Sequence, residues 1–515
     1  MQLAPAHWAE YRPGRFLSVW LVVTLIQFAR VPTFWLTGEF VAEDGWVFFA
    51  GAFNAPWTQS WLQPYAGYFH TAPRILAELW SGLPLVWQPY AYAGSGLAID
   101  ALILSLFCLP HFRRLVPSDG QRLGIVAVLA LAQNAENLGL VLGVNWYLGF
   151  GLALLLVMTP PSGWAGRVAM TVGAVLAVWS TPAAFVLVPW LGWGVWRGRE
   201  RFGRIWGAIV LSNLVVVAGL VMALRLQTPG RTGAFTGADM VIAAERLVLR
   251  GWLGTGLLGE ALSSALAGTG VLGWLGLAMA VVLLICGWRL RAEPWSRPLA
   301  GLMLVAVAMI ALSLTRTLYV ASAADTALPL HERYLTAPTL LLSVVVLAAL
   351  ARTRSSRVFW RVWLVECGLL LVSLPQLNHW ARPAVAFHLR DFVADIERFE
   401  RAYVLIGQPG SLYVPADVPY WGPVLESAGG LRVSAEADPT AVLAPMVRLG
   451  GWRLSDRPSW IEHEGLGALQ FDGVEGGRVW FRDEAGRELF TSELLQPRFW
   501  SMQPTGFVLI DPTVP

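Results

Sequence analysis

The stretch "VAMTVGAVLAVWSTPAAFVLVPWLGWGVW" (Val168–Trp196) decides the fold. Its roughly thirty apolar residues lie between Arg167 and the cluster Arg197, Arg199, Arg201 and Arg204. A helix needs about 20 apolar residues to cross a bilayer, and cytoplasmic loops collect Arg. One long kinked helix would put the two basic ends on opposite sides and invert every later loop. Two short spans, turned at "STP" (Ser180–Pro182), keep both ends on one side. Proline lacks an N–H and clashes with the preceding turn, and it disfavours helix at the residue before it. The Arg marks therefore predict a tight pair of short, incomplete spans.

Worked outward, the same two rules give a ladder. A first span, Phe16–Leu36, follows Arg12 and Arg15, and a second, Tyr92–Pro110, ends at "HFRR" (His111–Arg114). A third rises from Arg122 to about Leu138, and a fourth descends from Asn145 to Met158. After the hairpin, Ile205–Leu224 goes out. A long loop with an amphipathic stretch, Ala243–Ala267, precedes Val271–Trp288, which comes back in to "RLRAEPWSR". Leu299–Tyr319, Tyr334–Leu350 and Val358–Leu374 complete eleven spans, with the N-terminus cytoplasmic and the C-terminus outside. The first run has no small-residue cleavage signal, which predicts an uncleaved helix.

Composition agrees. The chain has 515 residues, 56% hydrophobic and only 14% charged, with mean hydropathy +0.55. A soluble chain would carry about a quarter charged residues, so a polytopic, all-α membrane domain over residues 1–375 is expected. The net charge of +3 says little about partners. No basic face on a soluble module is visible, so nucleic-acid binding is not expected. Every basic residue other than His is Arg, and Cys108, Cys286 and Cys367 lie in apolar runs as packing residues, with no disulfide framework. From residue 376 the chain turns polar. "HLRDFVADIERFER" (His388–Arg401) has helical spacing, and from about Ala444 short runs such as "RVWFRDEAGRELF" alternate with turns. Residues 376–515 are read as a small extracytoplasmic α+β module. No repeat of fixed period and no inverted symmetry is visible.

Candidate chemistry gathers on the outer side. The loop 37–91 opens with "FVAEDGWVFFAGAFN" (Phe40–Asn54), where Glu43 and Asp44 stand among aromatics. Such a pair can take a proton from a hydroxyl or hold a divalent cation, Mg or Mn. Tyr68, His70, Arg74 and Glu78 follow in "PYAGYFHTAPRILAELW". Arg30, Arg74, Arg316 and Arg333 all fall on the side where Arg is scarce. Each could snorkel or pair structurally; as a group they suit a shared anionic ligand, because guanidinium forks match phosphate. Glu136, Asn137, Asn145 and Trp146 cluster at the turn between the third and fourth spans, where amides, a carboxylate and an aromatic face suit a sugar or cap a helix end. His331, Glu332 and Arg333, with Tyr334, form a third outer cluster, and Asp100 and Glu366 lie within spans with no assigned role. No Walker A sequence, nucleotide-binding glycine fingerprint, HExxH, CxxC or Ser/His/Asp set stands out.

The first span leading into a large acidic outer loop, the short fifth–sixth hairpin, the late loop "HERYLTAP" (His331–Pro338) and the outer C-terminal module resemble the GT-C superfamily of polytopic glycosyltransferases, which includes protein mannosyltransferases and aminoarabinose transferases. The matching motifs are "AEDG" (Ala42–Gly45) and "ERY" (Glu332–Tyr334). The resemblance implies a polyprenyl-phosphate-linked sugar donor in a bacterial inner membrane and a glycan, lipid or protein acceptor. Carried over, Asp44 or Glu43 would be the base or a metal ligand, and Arg333 would hold the phosphate. The sequence departs from many members in having no clear DxD and no acidic pair in the second outer loop, where "AENLG" stands. A lipid-linked sugar flippase, an envelope polysaccharide polymerase or ligase, and an assembly partner are the alternatives.

Overall fold

The structure, a computed structural model, describes residues 13–30, 38, 40, 43–49, 51–52, 60–65, 67–84, 87–132, 137–197, 201–227, 266, 271, 274, 293, 295–320, 335–353, 355–377, 411–413, 424–426, 452–454, 460–463, 467–475 and 478–490. The amphipathic stretch Ala243–Ala267, the span Val271–Trp288 and the surface helix His388–Arg401 lie essentially outside them. The chain divides into two compact units. The first holds Met1–Pro32, Leu62–Pro73 and Gly94–Trp380, and the second Thr33–Trp61, Arg74–Ala93 and Ala381–Pro515.

Helices dominate the described part of residues 1–380. In order they are α1 (Pro13–Arg30), α2 (Thr71–Trp80), α3 (Gln88–Ser105), α4 (Asp119–Leu131), α5 (Val144–Val157), α6 (Trp164–Ser180), α7 (Val188–Arg197), α8 (Arg201–Gln227), α9 (Ser296–Val320), α10 (Thr336–Thr353) and α11 (Ser356–Leu377). A small hairpin of β1 (Pro64–Tyr65) and β2 (Tyr68–Phe69) precedes α2, with Gly67 at φ +85° in its turn.

The "STP" break forms as its residues dictate. Helix α6 stops at Ser180, and Thr181, the residue before proline, is extended at φ −129°, ψ 131°. Its hydroxyl accepts the Ala183 N–H at 3.3 Å, and Pro182 starts a 3-10 turn, Pro182–Leu187, where a missing N–H costs nothing. The helix axes on either side are bent by 115°. A bend of this size fits either a broken span or a re-entrant loop. The second arm packs closely: a Cβ on Gly301 of α9 would stand 2.7 Å from Cζ2 of the Trp190 ring on α7. Gly301→Val is therefore expected to force the indole out and lower stability by about 1–3 kcal/mol, read as a fall in the melting temperature of the full chain. An unchanged melting temperature would show that this contact is slack.

Within the first unit a group of basic residues collects at one end of the helices. Arg15 on α1 meets Asp119 at 3.0 Å, Arg113 meets it at 3.7 Å, and Arg122 on α4 pairs with it too. Burial pushes the Asp119 carboxyl up, but Arg122, Arg113 and Arg15 together hold it below the usual carboxylate range. Arg122 donates to the carbonyls of Val116 (2.7 Å) and Pro117 (3.1 Å), and Arg352, near the end of α10, donates to Leu115 O (2.9 Å) and Arg113 O (3.4 Å). The His111 ring nitrogen Nδ1 lies 2.8 Å from Thr159 O, just after α5. The starts of α1 and α4 and the ends of α3, α5 and α10 thus share this end.

Hydrogen bonds define the opposite end equally well. Arg30, the last residue of α1, donates to Ala130 O near the end of α4 at 3.0 Å. The Ala72 N–H donates to Ser180 Oγ at 2.9 Å, joining the start of α2 to the break after α6. With Arg15 and Asp119 at their starts and Arg30 and Ala130 at their ends, α1 and α4 run in the same direction.

Two described helices, Gln88–Cys108 and Phe202–Leu224, are long and apolar enough to cross a membrane, and the bent pair adds a third if counted as one span. The expected eleven spans are not all found among the described residues. The third was expected to reach Leu138, but α4 has 13 residues and stops before the polar run "QNAEN" (Gln133–Asn137). The fourth has 14 residues, about 21 Å at 1.5 Å per residue, short of a hydrocarbon core of about 30 Å. Large apolar side chains face outward nonetheless: Leu25 (65% exposed) on α1, Met222 (65%) on α8, and Leu364 (66%) and Val372 (74%) on α11. Such faces are a liability in water and ordinary in hydrocarbon.

In the second unit, β3 (Ser411–Tyr413) pairs with β4 (Val424–Glu426). A five-stranded antiparallel meander runs β5 (Trp452–Leu454), β6 (Trp460–His463), β7 (Gly467–Glu475), β8 (Arg478–Asp483) and β9 (Glu488–Phe490). The turn after β8 is closed by Asp483, whose carboxylate accepts the Arg487 N–H at 2.7 Å and its Nε–H at 2.6 Å, with Gly486 at φ +77°.

Candidate functional site

The acidic pair is buried, not solvated. Glu43 is 2% exposed and Asp44 3%, and Asp44 opens a π-helical turn, Asp44–Phe49. The aromatics that puzzle the sequence reader build its wall. The Phe40 ring stacks on Phe49 with centroids 4.5 Å apart and meets Tyr92 edge-on at 5.3 Å. Gly38, at φ +65°, leaves room for a second ring: a Cβ there would stand 2.7 Å from Cε2 of Tyr90.

Arg74 belongs to the same unit. Its guanidinium is buried at 3% exposure and lies over the Phe48 ring, 5.7 Å from the centroid. Phe48 is four residues beyond Asp44, so Arg74 packs on the turn that carries the acid. Burial pushes the Arg74 guanidinium down to about 10, against the raising effect of Glu78 one helical turn along α2. The Ser60 hydroxyl donates to the Glu78 carboxylate, and the charges of both Asp44 and Glu78 reach the Tyr92 hydroxyl. Ser60 and Tyr92 stand outside the residues that the sequence pattern singles out. Only the four-residue spacing of Arg74 and Glu78 signals their partnership in the sequence.

The other described candidates belong to the first unit. His70 is 1% exposed and follows β2, its ring 4.1 Å from Tyr68 and 5.5 Å from Tyr65. The Asn145 amide nitrogen donates to His70 Nδ1. Trp146, 7% exposed, is the next residue of α5.

Asn137 donates from Nδ2 to Thr336 Oγ1 at 2.6 Å. The "AENLG" and "HERYLTAP" motifs, about two hundred residues apart, therefore meet at their described residues. Asn137, expected to bind sugar, thus also ties its turn to the start of α10. Glu136, His331, Glu332, Arg333 and Tyr334 lie outside the described residues, and so does the Arg316 side chain, although its backbone falls within α9. Arg30 caps α4, and Asp100 and Glu366 are buried at 0% and 6% exposure.

The candidates thus fall into three described groups: Glu43, Asp44, Arg74 and Glu78; His70 and Asn145; Asn137 and Thr336. Among the described residues no three His, Cys, Asp or Glu side chains are arranged to hold a metal ion. A scan of protein-family models, a search of curated proteins and a search of solved structures each found no match to this chain.

Proposed function

We propose that the protein is a GT-C-like glycosyltransferase of a bacterial inner membrane. In this reading it has about eleven spans, a cytoplasmic N-terminus and an extracytoplasmic C-terminal module. It moves a sugar from a polyprenyl-phosphate donor to an acceptor hydroxyl of a glycan, lipid or protein, with inversion at the anomeric carbon. The observation that carries this reading is the buried pair Glu43 and Asp44 held in one compact unit with the buried Arg74. Carboxylates taken out of water cost free energy unless they are paired, and a carboxylate within reach of a hydroxyl can act as its general base.

Asp44 takes the acceptor hydroxyl proton as that oxygen attacks the anomeric carbon. The new C–O bond forms as the bond from that carbon to the phosphate oxygen breaks, and the electron pair leaves with the polyprenyl phosphate. Arg74, with Arg333 and Arg316, balances the charge on the departing phosphate. The aromatic wall of Phe40, Phe48 and Phe49 excludes water that would otherwise compete as the acceptor.

Full-length protein in detergent, given a panel of polyprenyl-phosphate pentoses and hexoses, should release polyprenyl phosphate, slowly without an acceptor and faster with one. The Glu43→Gln/Asp44→Asn double variant should release none. If the wild type consumes no donor, or the double variant is as active, the transferase reading is wrong. Passage of intact donor across a vesicle membrane, without cleavage, would point to a flippase instead.

A further inference from the structure

We infer that the loop between α2 and α3 is an apolar tip that sits in the bilayer interface at the head of α3 and fixes the depth at which α2 holds Arg74. Its sequence, "LWSGLPLVW" (Leu79–Trp87), carries no charge, and none follows until Asp100. The tip therefore leads, without a charged residue between, into Gln88–Cys108, a helix long and apolar enough to cross a membrane. Three of its large apolar side chains are left uncovered: Leu79 is 62% exposed, Leu83 37% and Trp87 60%. Ser81, Gly82 and Pro84 are exposed between them. Apolar groups presented in this way are a liability in water and an anchor at a lipid surface.

The backbone of the tip says what covers it. A loop that meets hydrocarbon must satisfy its polar groups from within, whereas one in water can leave them to solvent. The Ser81 N–H donates to Glu78 O at 3.3 Å, the Leu83 N–H to Trp80 O at 3.0 Å and the Trp87 N–H to Pro84 O at 2.9 Å. From the start of α3 the buried Gln88 amide reaches back and donates to Leu83 O at 2.8 Å and Ser81 O at 3.4 Å. Trp87 stands at the last position before that helix, its ring 5.9 Å from the Tyr90 ring, and Trp and Tyr are the residues that collect at the level of the headgroups. With no cation in the tip, the occupant is the apolar boundary of the leaflet and not a particular headgroup. This inference rests on the membrane reading and is independent of the transferase chemistry.

The test is a depth measurement on the full chain in phosphatidylcholine nanodiscs. Leu79→Cys and Leu83→Cys each carry a nitroxide, and wild-type protein labelled in parallel gives the background from the native cysteines. Ala485→Cys, in the exposed turn after β8, is the aqueous reference. Both tip labels should collide more with dissolved oxygen than with a water-soluble nickel chelate, at a depth of about 5–10 Å below the lipid phosphates. The label at position 485 should show the reverse order. A tip label that favours the nickel chelate would overturn the assignment, and so would one that meets neither reagent because protein covers it. Both leucines are more than a third exposed, so the melting temperatures should match the wild type. The two positions are read separately, so one misfolded variant leaves the other as the test.

Discussion

Asp44→Asn is expected to lower sugar transfer by about 10²–10⁴-fold and leave the protein folded and inserted. The substitution keeps the shape of the side chain and removes its ability to take a proton. Asp44 is 3% exposed at the start of a turn whose Phe48 and Phe49 pack against Arg74 and Phe40. A shape-preserving change there leaves that packing in place, so the melting temperature should stay near that of the wild type while turnover falls. Glu43→Gln is the comparator. Glu43 is equally buried, and its loss should be the smaller if Asp44 is the base. Turnover that survives in Asp44→Asn but disappears in Glu43→Gln would move the role to Glu43. Full turnover in both would remove the pair from the chemistry.

A large loss of stability is expected of Gly143→Ala. A Cβ at this position would fall inside van der Waals contact with the Asn137 carbonyl oxygen and 3.1 Å from the Leu140 carbonyl oxygen. Its backbone is ordinary, at φ −55°, ψ −34°, so the penalty is steric and owes nothing to the backbone angles. Backbone atoms cannot rotate aside as a side chain can. The turn 137–142 must shift, and the Asn137–Thr336 hydrogen bond shifts with it. Overpacking of this kind costs about 1–3 kcal/mol. Gly173→Ala on α6, where a Cβ meets nothing within 4 Å, should be neutral or stabilising, since alanine favours helix over glycine by about 1 kcal/mol. Matching melting temperatures for the two variants would show that the turn yields freely.

The fold was legible where a physical rule acts locally. Proline chemistry at Ser180–Pro182 and the positions of Arg15, Arg122 and Arg352 required no knowledge of distant contacts, and the break and the arginine end formed at those residues. Helix length was less legible. Hydropathy alone extended the third span to Leu138, past the polar run that stops α4 at Leu131. The site was legible as residue types and not as partnerships. The acidic pair stands out in an aromatic loop, but its burial does not. Nothing in local periodicity joins Ser60 to Glu78 or Asn137 to Thr336, because those bonds are chosen by the packed helices and not by spacing along the chain.

The break after α6 also bears on where α7 lies. Helix α7 has 10 residues, about 15 Å, half of a hydrocarbon core of about 30 Å. In the membrane reading proposed above, α7 is too short to cross alone, and its depth is set by its connection to α6 through the 115° bend.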